Sequence, residues 1–234
     1  MKLISVVIPC YNEERYILKL LKKIIKIKKK HRLNLEIIVV DDGSTDNSKR
    51  EIKKVKTVKL ISQKNQGKGL AVQNGIKNAN GFYILIQDAD LEYNPKDYPK
   101  MISKLKNKKK AVFGSRYINK NNSIKFKLNK NQEILPFLFN FILMIIFGIL
   151  FKKTITDLLT GYKIYEKDFF NQVKIKSNGF EADHEISAKL IKNNYSISEV
   201  PITYSPRTRE EGKKINFFDA LKAIKTILYY RFFN

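Results

Sequence analysis

Three carboxylates stand close together in the segment QDADLEYNP, which spans residues 87–95 and follows the apolar run FYILI. They are Asp88, Asp90 and Glu92. If the segment stays extended, side chains two positions apart point the same way, so the three acids would share a face. Clustered carboxylates repel one another unless a cation neutralises them, and their oxygens suit Mg²⁺ or Mn²⁺. The spacing favours a divalent-metal site, although a D-x-D sequence alone is more typical of a charged turn.

Polar clusters also follow the other apolar runs in the first half of the chain. Such residues are ordinary turn formers when they occur singly. In a parallel sheet, however, ligands sit beyond the carboxyl ends of the strands, so several clusters along one edge indicate a site. The additional clusters are PCYNEE (9–14), DDGSTD (41–46), NQGKG (65–69) and GSRY (114–117).

The elements that would carry these clusters alternate in a regular way. Short β-branched runs separated by segments with helical spacing predict βαβ units, hence an α/β fold with a mostly parallel sheet covered on both faces. The predicted strands are 3–9, 36–42, 58–62, 82–88 and 111–115, and the predicted helices are 14–30, 69–79 and 96–107. The second half is less regular, without an internal repeat or linker, so we expect one domain over 1–215 and a basic amphipathic helix over 216–234.

Composition limits the classes of protein. With 234 residues and 43% hydrophobic side chains the chain can bury a core, and its single cysteine, Cys10, excludes an internal disulfide framework. The first residues do not form a signal peptide, which predicts a cytosol-facing protein. The formal net charge of +24 has two interpretations that the composition leaves open: lysines scattered over a solvated surface, or an anionic partner.

Individual residues in the clusters differ in what they could do. Asp46 can cap the helix that follows it, whereas Asp41 ends a strand and is the better ligand candidate. Lys68 lies between two glycines before a helix, which suits contact with a phosphate or a sugar hydroxyl. The segment is too short for a P-loop, and the Gly-x-Gly-x-x-Gly fingerprint of dinucleotide-binding proteins is absent. His31 and His184 form no metal-binding pattern.

Taken in order, the motifs resemble the family-2 glycosyltransferases, and more narrowly the polyprenyl-phosphate branch that includes dolichyl-phosphate mannose and glucose synthases. The resemblance covers about residues 3–215 and implies an A-type, Rossmann-like glycosyltransferase fold, a nucleotide-sugar donor, a divalent metal (Mg²⁺ or Mn²⁺) and a polyprenyl phosphate acceptor. The motifs that carry it are IPCYNEE, VVDDGSTD, NQGKGLA, QDADLEYNPKDYP, FGSRY, DLLTGYKIY, GFEADHEI and EVPITYSPRTREEGKKI.

The resemblance also implies a role for individual residues, by position in these motifs. The nucleotide sugar would contact Pro9, Tyr11, Glu13, Asp41, Lys68, Asp88, Ala89 and Asp90. The metal would be held by Asp88, Asp90 and Glu92. The acceptor phosphate would face Arg116, Arg207, Arg209 and Lys213. Asp88, Asp90 and Asp157 would be the catalytic residues.

The expected reaction is an in-line displacement with inversion, which depends on positioning and electrostatics. A phosphate acceptor is already ionised at pH 7, whereas a sugar hydroxyl of a glycan or lipid-linked saccharide, the alternative acceptor, would need a general base. Asp157 is the first candidate for a catalytic or orienting role. Asp183 and Glu185 are further carboxylates, but both could simply begin a helix, where acids favour the positive end of the dipole.

Two apolar segments bear on membranes. The run 134–151 supplies 18 nearly apolar residues, close to the roughly 20 that a spanning helix needs. A single span there would put Asp88 and Arg207 on opposite sides of the membrane, so we expect a buried, interfacial or re-entrant segment. The C-terminal segment repeats Phe217, Phe218, Leu221, Ile224 and Leu228 at helical spacing beside basic residues.

That C-terminal helix can lie on an anionic membrane surface or pack on the domain. The expected location is the cytoplasmic side of a membrane, in a peripheral or monotopic arrangement. A nucleic-acid partner is disfavoured because the acidic clusters would repel its phosphates. The sequence leaves the oligomeric state open.

Overall fold

The computed structural model describes residues 1–105, 109–118, 134–208 and 217–233. Arg209 and Lys213 therefore lie outside the described residues. The strands are β1 (Ile4–Cys10), β2 (Leu35–Asp42), β3 (Lys59–Gln63), β4 (Tyr83–Ile86), β5 (Lys110–Ser115), β6 (Lys163–Glu166) and β7 (Ser196–Pro201). The helices are α1 (Ile17–Lys30), α2 (Ser48–Lys53), α3 (Lys68–Lys77), α4 (Tyr98–Ile102), α5 (Ile134–Phe151), α6 (Asp168–Gln172), α7 (Ala182–Lys192) and α8 (Phe217–Phe232), with a short 3₁₀ turn at Pro95–Asp97.

The seven strands form one sheet in the order β3-β2-β1-β4-β6-β5-β7. Every pairing is parallel except those of β6, which runs antiparallel to both of its neighbours. The predicted mostly parallel sheet is confirmed. Because β6 is reversed, its first residue, Lys163, lies at the same edge as the carboxyl ends of β4 and β5. We call this edge the rim.

Helices cover both faces of the sheet, as predicted. Alternate side chains of each strand enter two separate cores, so that Val7 and Ile86 pack on one side while Val6 and Leu85 pack on the other. The first side is covered by α3, α5, α7 and α8, and the second by α1, α2 and α4. The rim is thus the edge of a sheet that is buried on both faces.

The two apolar segments form helices that each present one face to the core and one to the outside. On α5, Leu143 and Phe147 are buried, and on α8, Ala223, Ile227 and Tyr230 are buried. The exposed apolar residues, which we call the α5 stripe, are Ile134, Leu138, Phe141, Ile142, Ile145 and Ile149. In the part of the chain that the structure describes, no helix is sufficiently long and apolar to cross a membrane.

Two elements near the rim differ from their predicted bounds. The fourth strand ends at Ile86 instead of residue 88, and Leu91 adopts a positive φ of 64°. The acidic segment therefore turns, and the expectation that it stays extended is wrong. The helix predicted over 96–107 begins as the 3₁₀ turn and ends as α4 at Ile102, while residues 106–108 lie outside the described part.

Candidate active site

The predicted site residues that the structure describes come from loops and strand ends along the rim. Asp41 is the next-to-last residue of β2, and the segment from Asp88 to Glu92 follows β4. Arg116 follows β5, and Asp157 stands before the reversed β6, while Arg207 comes after β7. Segments distant in the sequence thus meet at one edge, because the strands that precede or follow them share it.

A cluster of four charged side chains, of which Lys163 and Asp183 are buried, lies around the first acid of the D-x-D motif. Lys68 Nζ lies 2.7 Å from Asp88 Oδ1 and 3.3 Å from Asp183 Oδ2. Asp183 Oδ1 lies 3.3 Å from the ammonium of Lys163, whose side chain is fully buried. Lys163 also donates to the carbonyl oxygen of Thr160. Asp183 therefore contacts both lysines, and one of the two, Lys68, also contacts Asp88.

The charges of this cluster depend on one another. Burial alone would lower the pKa of Lys68, but the carboxylates of Asp183 and Asp88 outweigh burial and hold that pKa above its ordinary value. Burial lowers the pKa of Lys163, and Asp183 offsets this only in part. Burial would raise the pKa of Asp183, but Lys163 and Lys68 reverse that shift and lower it. Lys68 and Asp183 are therefore ionised at neutral pH and stabilise each other.

Gly161 leaves the space that this cluster occupies. A Cβ atom at position 161 would overlap Asp88 Oδ2 and would lie 2.9 Å from Lys68 Nζ. Glycine is thus the residue that lets the backbone of the DLLTGYKIY motif approach the ion pair between Asp88 and Lys68.

The second acid of the motif has a different cation. Arg207 Nη2 lies 3.0 Å from Asp90 Oδ2, and Arg207 Nη1 lies 2.9 Å from Glu13 Oε2. Its Nε lies 3.4 Å from Glu92 Oε1, and its backbone N–H donates to the same oxygen at 3.1 Å. The chain turns at Leu91, where the Glu92 N–H donates to Asp90 Oδ1 at 3.1 Å. The turn brings Asp90 and Glu92 to the same guanidinium.

Three acids around one guanidinium leave Asp90 in a crowded position. Burial raises the pKa of Asp90, the charges of Asp88 and Glu92 raise it further, and Arg207 lowers it, so that the pKa lies at about 7. Additional positive charge beside Asp90 would therefore stabilise its ionised form. Sequence reasoning assigned Arg207 to the acceptor phosphate, whereas in the structure its guanidinium contacts these carboxylates.

The donor set fits a divalent metal that is shared with a diphosphate. Among the described residues, no group of three or more acidic, histidine or cysteine side chains is arranged to hold a metal ion by itself. Mg²⁺, however, is commonly bound through one or two carboxylates plus substrate phosphates. Asp88 and Asp90 can supply carboxylate oxygens of this kind. The expectation that Asp88, Asp90 and Glu92 all bind the metal stays a prediction.

A separate ion pair, outside the groups around Asp88 and Asp90, lies at the end of β5. Arg116 Nε lies 2.6 Å from Asp157 Oδ2 and its Nη2 lies 2.7 Å from Oδ1, so the pair is bidentate. The Arg116 N–H also donates to Asp157 Oδ2 at 3.1 Å. Glu199 fixes the turn that carries Asp157, because it accepts from the Asp157 N–H at 3.2 Å and from Thr156. Asp157 is fully buried.

The remaining predicted nucleotide contacts lie at the ends of β1 and β2 and in the segment after β4. Asp41 accepts from the Ser44 N–H at 3.2 Å, which shapes the DDGSTD turn. Its neighbour Asp42 has a role that the sequence did not reveal, since it accepts from the N–H groups of Gln66 and Gly67 at 2.9 Å. Asp42 thereby fixes the loop that presents Lys68. Pro9 and Tyr11 are half-buried, and Ala89 is buried.

Sequence reasoning missed Lys163, Gly161 and Glu199. The signal for Lys163 in the sequence was its place in the strand pattern KIYE. Because side chains alternate between the two faces of a strand, Lys163 lies on the same face as Tyr165. Asp183 and Glu185 lie in the first turn of α7, as expected for helix-entry acids. Glu185 accepts from the backbone of Lys176 and Ser177.

The chain is similar to known proteins over most of its length. Residues 5–173 match the profile of the family described as Glycosyl transferase family 2. The chain is 34% identical over 220 residues to a dolichol-phosphate mannosyltransferase of Pyrococcus furiosus, an alignment that covers 90% of this chain and 58% of the relative. It is 31% identical over 253 residues to a dolichyl-phosphate beta-glucosyltransferase of Saccharomyces cerevisiae, covering 97% and 74%. The chain thus spans little more than half the length of the Pyrococcus relative.

The fold is similar to solved structures of glucosyl-3-phosphoglycerate synthase from Mycobacterium tuberculosis. One of them, a complex with Mn²⁺, UDP and glucosyl-3-phosphoglycerate, gives a TM-score of 0.72 at 17% identity and covers 98% of this chain and 80% of that one. Another, with Mg²⁺ and UDP, gives a TM-score of 0.71 at 16% identity, covering 98% and 79%. This likeness confirms the predicted A-type glycosyltransferase fold.

The pH dependence of stability should reveal the burial of His184. Burial, together with the nearby charge of Lys163, lowers its pKa from 6.5 to about 4. Between pH 6.5 and about 4 His184 takes up a proton in the unfolded state but not in the folded state. The contribution of neutral His184 to the free energy of unfolding is therefore fully present above pH 6.5 and is lost as the pH falls to 4. The loss amounts to about 3 kcal/mol.

The measurement is urea denaturation of the ligand-free protein at a series of pH values, for wild type and for His184→Leu. Other groups titrate in both proteins, so the difference between the two curves isolates His184. The variant should gain stability relative to wild type as the pH falls from 6.5 to 4. A difference that stays constant over this range would show that His184 titrates normally in the folded protein.

Proposed function

Because the chain belongs to glycosyl transferase family 2, we propose that it transfers a hexose, with inversion, from a UDP- or GDP-sugar to a polyprenyl phosphate. The reaction is metal-dependent and takes place at the cytosolic face of a membrane. The names of the two relatives support this acceptor class. The observation that carries the proposal is that Arg116, whose side chain is only 10% exposed, lies one aromatic ring away from the first turn of α5, a helix with one exposed apolar face.

That observation concerns the surroundings of Arg116. Its guanidinium carbon lies 5.3 Å from the ring centre of Tyr117 and 4.9 Å from that of Tyr204. The Tyr117 ring meets Phe137 of α5 edge to face at 5.7 Å. The α5 stripe therefore begins close to a cationic side chain. A polyprenyl phosphate has the same two parts, an anionic head and a long apolar chain.

The donor would lie on the other part of the rim. Lys68, which pairs with Asp88 and Asp183, would contact the diphosphate, and Asp90 and Glu92 would supply further oxygens. A bound divalent cation would offset the negative charge that develops on the departing nucleoside diphosphate. Asp42 and Gly161 contribute indirectly, since they fix the loop of Lys68 and leave space for its ion pair.

The ion pair between Arg116 and Asp157 favours a phosphate over a hydroxyl acceptor. Both carboxylate oxygens of Asp157 accept from Arg116, and the side chain is fully buried. A carboxylate held in this way orients the guanidinium but is poorly placed to accept a proton from a sugar hydroxyl. A phosphate acceptor, which is already ionised, has no need of such a base. We assign Asp157 the orienting role.

The helices α5 and α8 would bring the protein to the membrane. The α5 stripe is apolar throughout, and Ile149 is 73% exposed. On α8, Leu221, Leu228 and Phe232 are exposed beside basic residues. A large exposed apolar patch marks an interaction surface, and basic residues beside it suit anionic headgroups. The basic residues of α8 are Lys222, Lys225 and Arg231.

The reaction itself is tested by incubating the protein with UDP- and GDP-sugars, Mg²⁺ or Mn²⁺, and polyprenyl phosphate in detergent, with mass spectrometry of the products. We expect an acid-labile sugar–phosphate–lipid, because the acceptor phosphate becomes part of a phosphodiester. Unphosphorylated polyprenol is the control and should give no product. Asp90→Asn should lower the rate by at least about a hundredfold, since it removes one metal-facing charge.

Two results would contradict this assignment. Transfer to a glycan hydroxyl without transfer to the lipid phosphate would favour the alternative acceptor. Activity that survives both chelation and Asp90→Asn would exclude the metal-dependent mechanism.

Gly161→Ala tests the placement of the Asp88–Lys68 pair. The new methyl group would displace the ends of two side chains and would not clash with backbone, so the fold should survive with a small change in melting temperature. Sugar transfer should fall by about tenfold or more, because misplacement of a charged group by about 1 Å weakens transition-state stabilisation strongly. Both quantities are measured on the same preparation.

The control is Gly148→Ala in α5, where the nearest atom to the new methyl group would be the Lys153 carbonyl oxygen at 3.9 Å. This variant should keep wild-type activity. Equal rates for Gly161→Ala and wild type would mean that the site does not depend on the close approach at position 161.

Flotation with lipid vesicles tests the membrane surface. The double variant Ile142→Ser/Ile149→Ser removes two exposed isoleucines from the α5 stripe, so binding to vesicles of neutral and anionic phospholipid should weaken about tenfold or more. Phe82→Ser is the matched control, because Phe82 is 40% exposed and lies at the edge of the sheet opposite the rim. Undiminished binding of the double variant would exclude the α5 stripe as the docking surface.

A further inference from the structure

The acidic part of the rim already contains a cation, the guanidinium of Arg207. Its side chain is only 9% exposed and contacts Glu13 through Nη1 and Nη2, Asp90 through Nη2, and Glu92 through Nε. Two of these acids, Asp90 and Glu92, are among those that the proposed function assigns to the metal. Arg207 and a divalent cation therefore compete for the same oxygens.

The two cations beside the D-x-D motif are held in different ways. Lys68 begins a helix and keeps a second carboxylate, Asp183, which in turn contacts the buried Lys163. Arg207 follows β7 in a segment without helix or strand, and all three carboxylates that it contacts belong to the rim. Lys68 is thus fixed through the core, whereas the ion pairs of Arg207 are made to the rim itself, and its guanidinium carbon also lies 5.3 Å from the ring centre of Tyr16.

A guanidinium and a divalent cation repel each other at such short range, so they cannot both stay on Asp90 and Glu92. We propose that Arg207 is an internal counter-cation of the ligand-free protein, and that it leaves Asp90 and Glu92 when a divalent cation binds there with the nucleoside diphosphate. This inference rests on the proposed function. It adds a sequence of two states to that function: Arg207 neutralises Asp90 and Glu92 in the ligand-free protein, and the divalent cation then replaces it.

The exchange also connects the donor site to the acceptor site. The segment that carries Arg207 includes Tyr204, whose ring lies 4.9 Å from the Arg116 guanidinium. Ser205 is attached to the acidic turn, since its N–H donates to the Glu92 carbonyl oxygen at 2.9 Å. A guanidinium released from Asp90 and Glu92 is thus part of a segment that already contacts Arg116, where the acceptor phosphate is expected. Donor binding would in this way supply a second positive charge for the acceptor.

Titration of the ligand-free protein with Mn²⁺, followed by the electron paramagnetic resonance signal of the free ion, tests the competition directly. Arg207→Gln should bind Mn²⁺ about tenfold more tightly than wild type, because the competing charge is gone. Arg207→Lys keeps the charge and should stay within about threefold of wild type. Lys96→Gln removes an exposed positive charge from the 3₁₀ turn and controls for the general effect of charge, so it should change the affinity less than about twofold.

Hydrogen exchange in the wild-type protein provides a second test that needs no substitution. The Arg207 N–H donates to Glu92 Oε1 at 3.1 Å, so addition of Mn²⁺ and UDP should accelerate exchange in a peptide covering 203–208. Slower or unchanged exchange there would overturn the proposal. So would an Arg207→Gln variant that binds Mn²⁺ no more tightly than wild type or Lys96→Gln.

Neither measurement involves sugar transfer. A chain that lacks the proposed transferase activity but shows the exchange would leave this inference standing. Activity without the exchange would refute the inference and leave the proposed function intact.

Discussion

The structure of the rim depends on how negative charge is neutralised out of contact with bulk water. Unpaired buried carboxylates are costly, so those of the rim either face a lysine or an arginine or, like Asp41 and Asp42, accept hydrogen bonds from backbone N–H groups. The ion pairs of the rim nevertheless contain more acids than bases among the described residues. A single divalent cation would cancel an excess of two charges. The acids are Glu13, Asp88, Asp90, Glu92, Asp157 and Asp183, and the bases are Lys68, Arg116, Lys163 and Arg207.

Much of the fold could be predicted from the sequence because its signals are local. The period-2 runs and the helical spacing of α1 are contained within short windows. The acids after β4 indicate a site because they follow an apolar strand and because polar clusters end the other strands as well. The reversed strand β6 and the buried Lys163 have no such signal. Lys163 is tolerated only because Asp183, which is 20 residues away in the sequence, reaches it. Partnerships of this kind are decided by tertiary structure.

The high positive charge has more than one location. Arginine and lysine at the rim are paired with acids, whereas α1 carries exposed lysines along one side, among them Lys19, Lys22 and Lys26. The helix packs on the face of the sheet opposite to α5 and α8. A flat membrane that contacts the α5 stripe would therefore not meet this side of α1. The exposed lysines of α1 thus belong to a solvated surface, in agreement with the compositional interpretation, whereas the ion-paired bases of the rim add nothing to the net positive charge.

The bidentate pair of Arg116 and Asp157 has an architectural meaning as well. These two residues stand at the start and the end of the long excursion between β5 and β6, and α5 lies within it. Their ion pair fastens the base of that excursion, so the chain leaves the sheet and returns to it at one point. An insertion with its ends tied together can be exchanged or lengthened without moving the strands that support it. The segment that we propose to face the lipid can thus diversify as a module while the rest of the rim keeps its geometry.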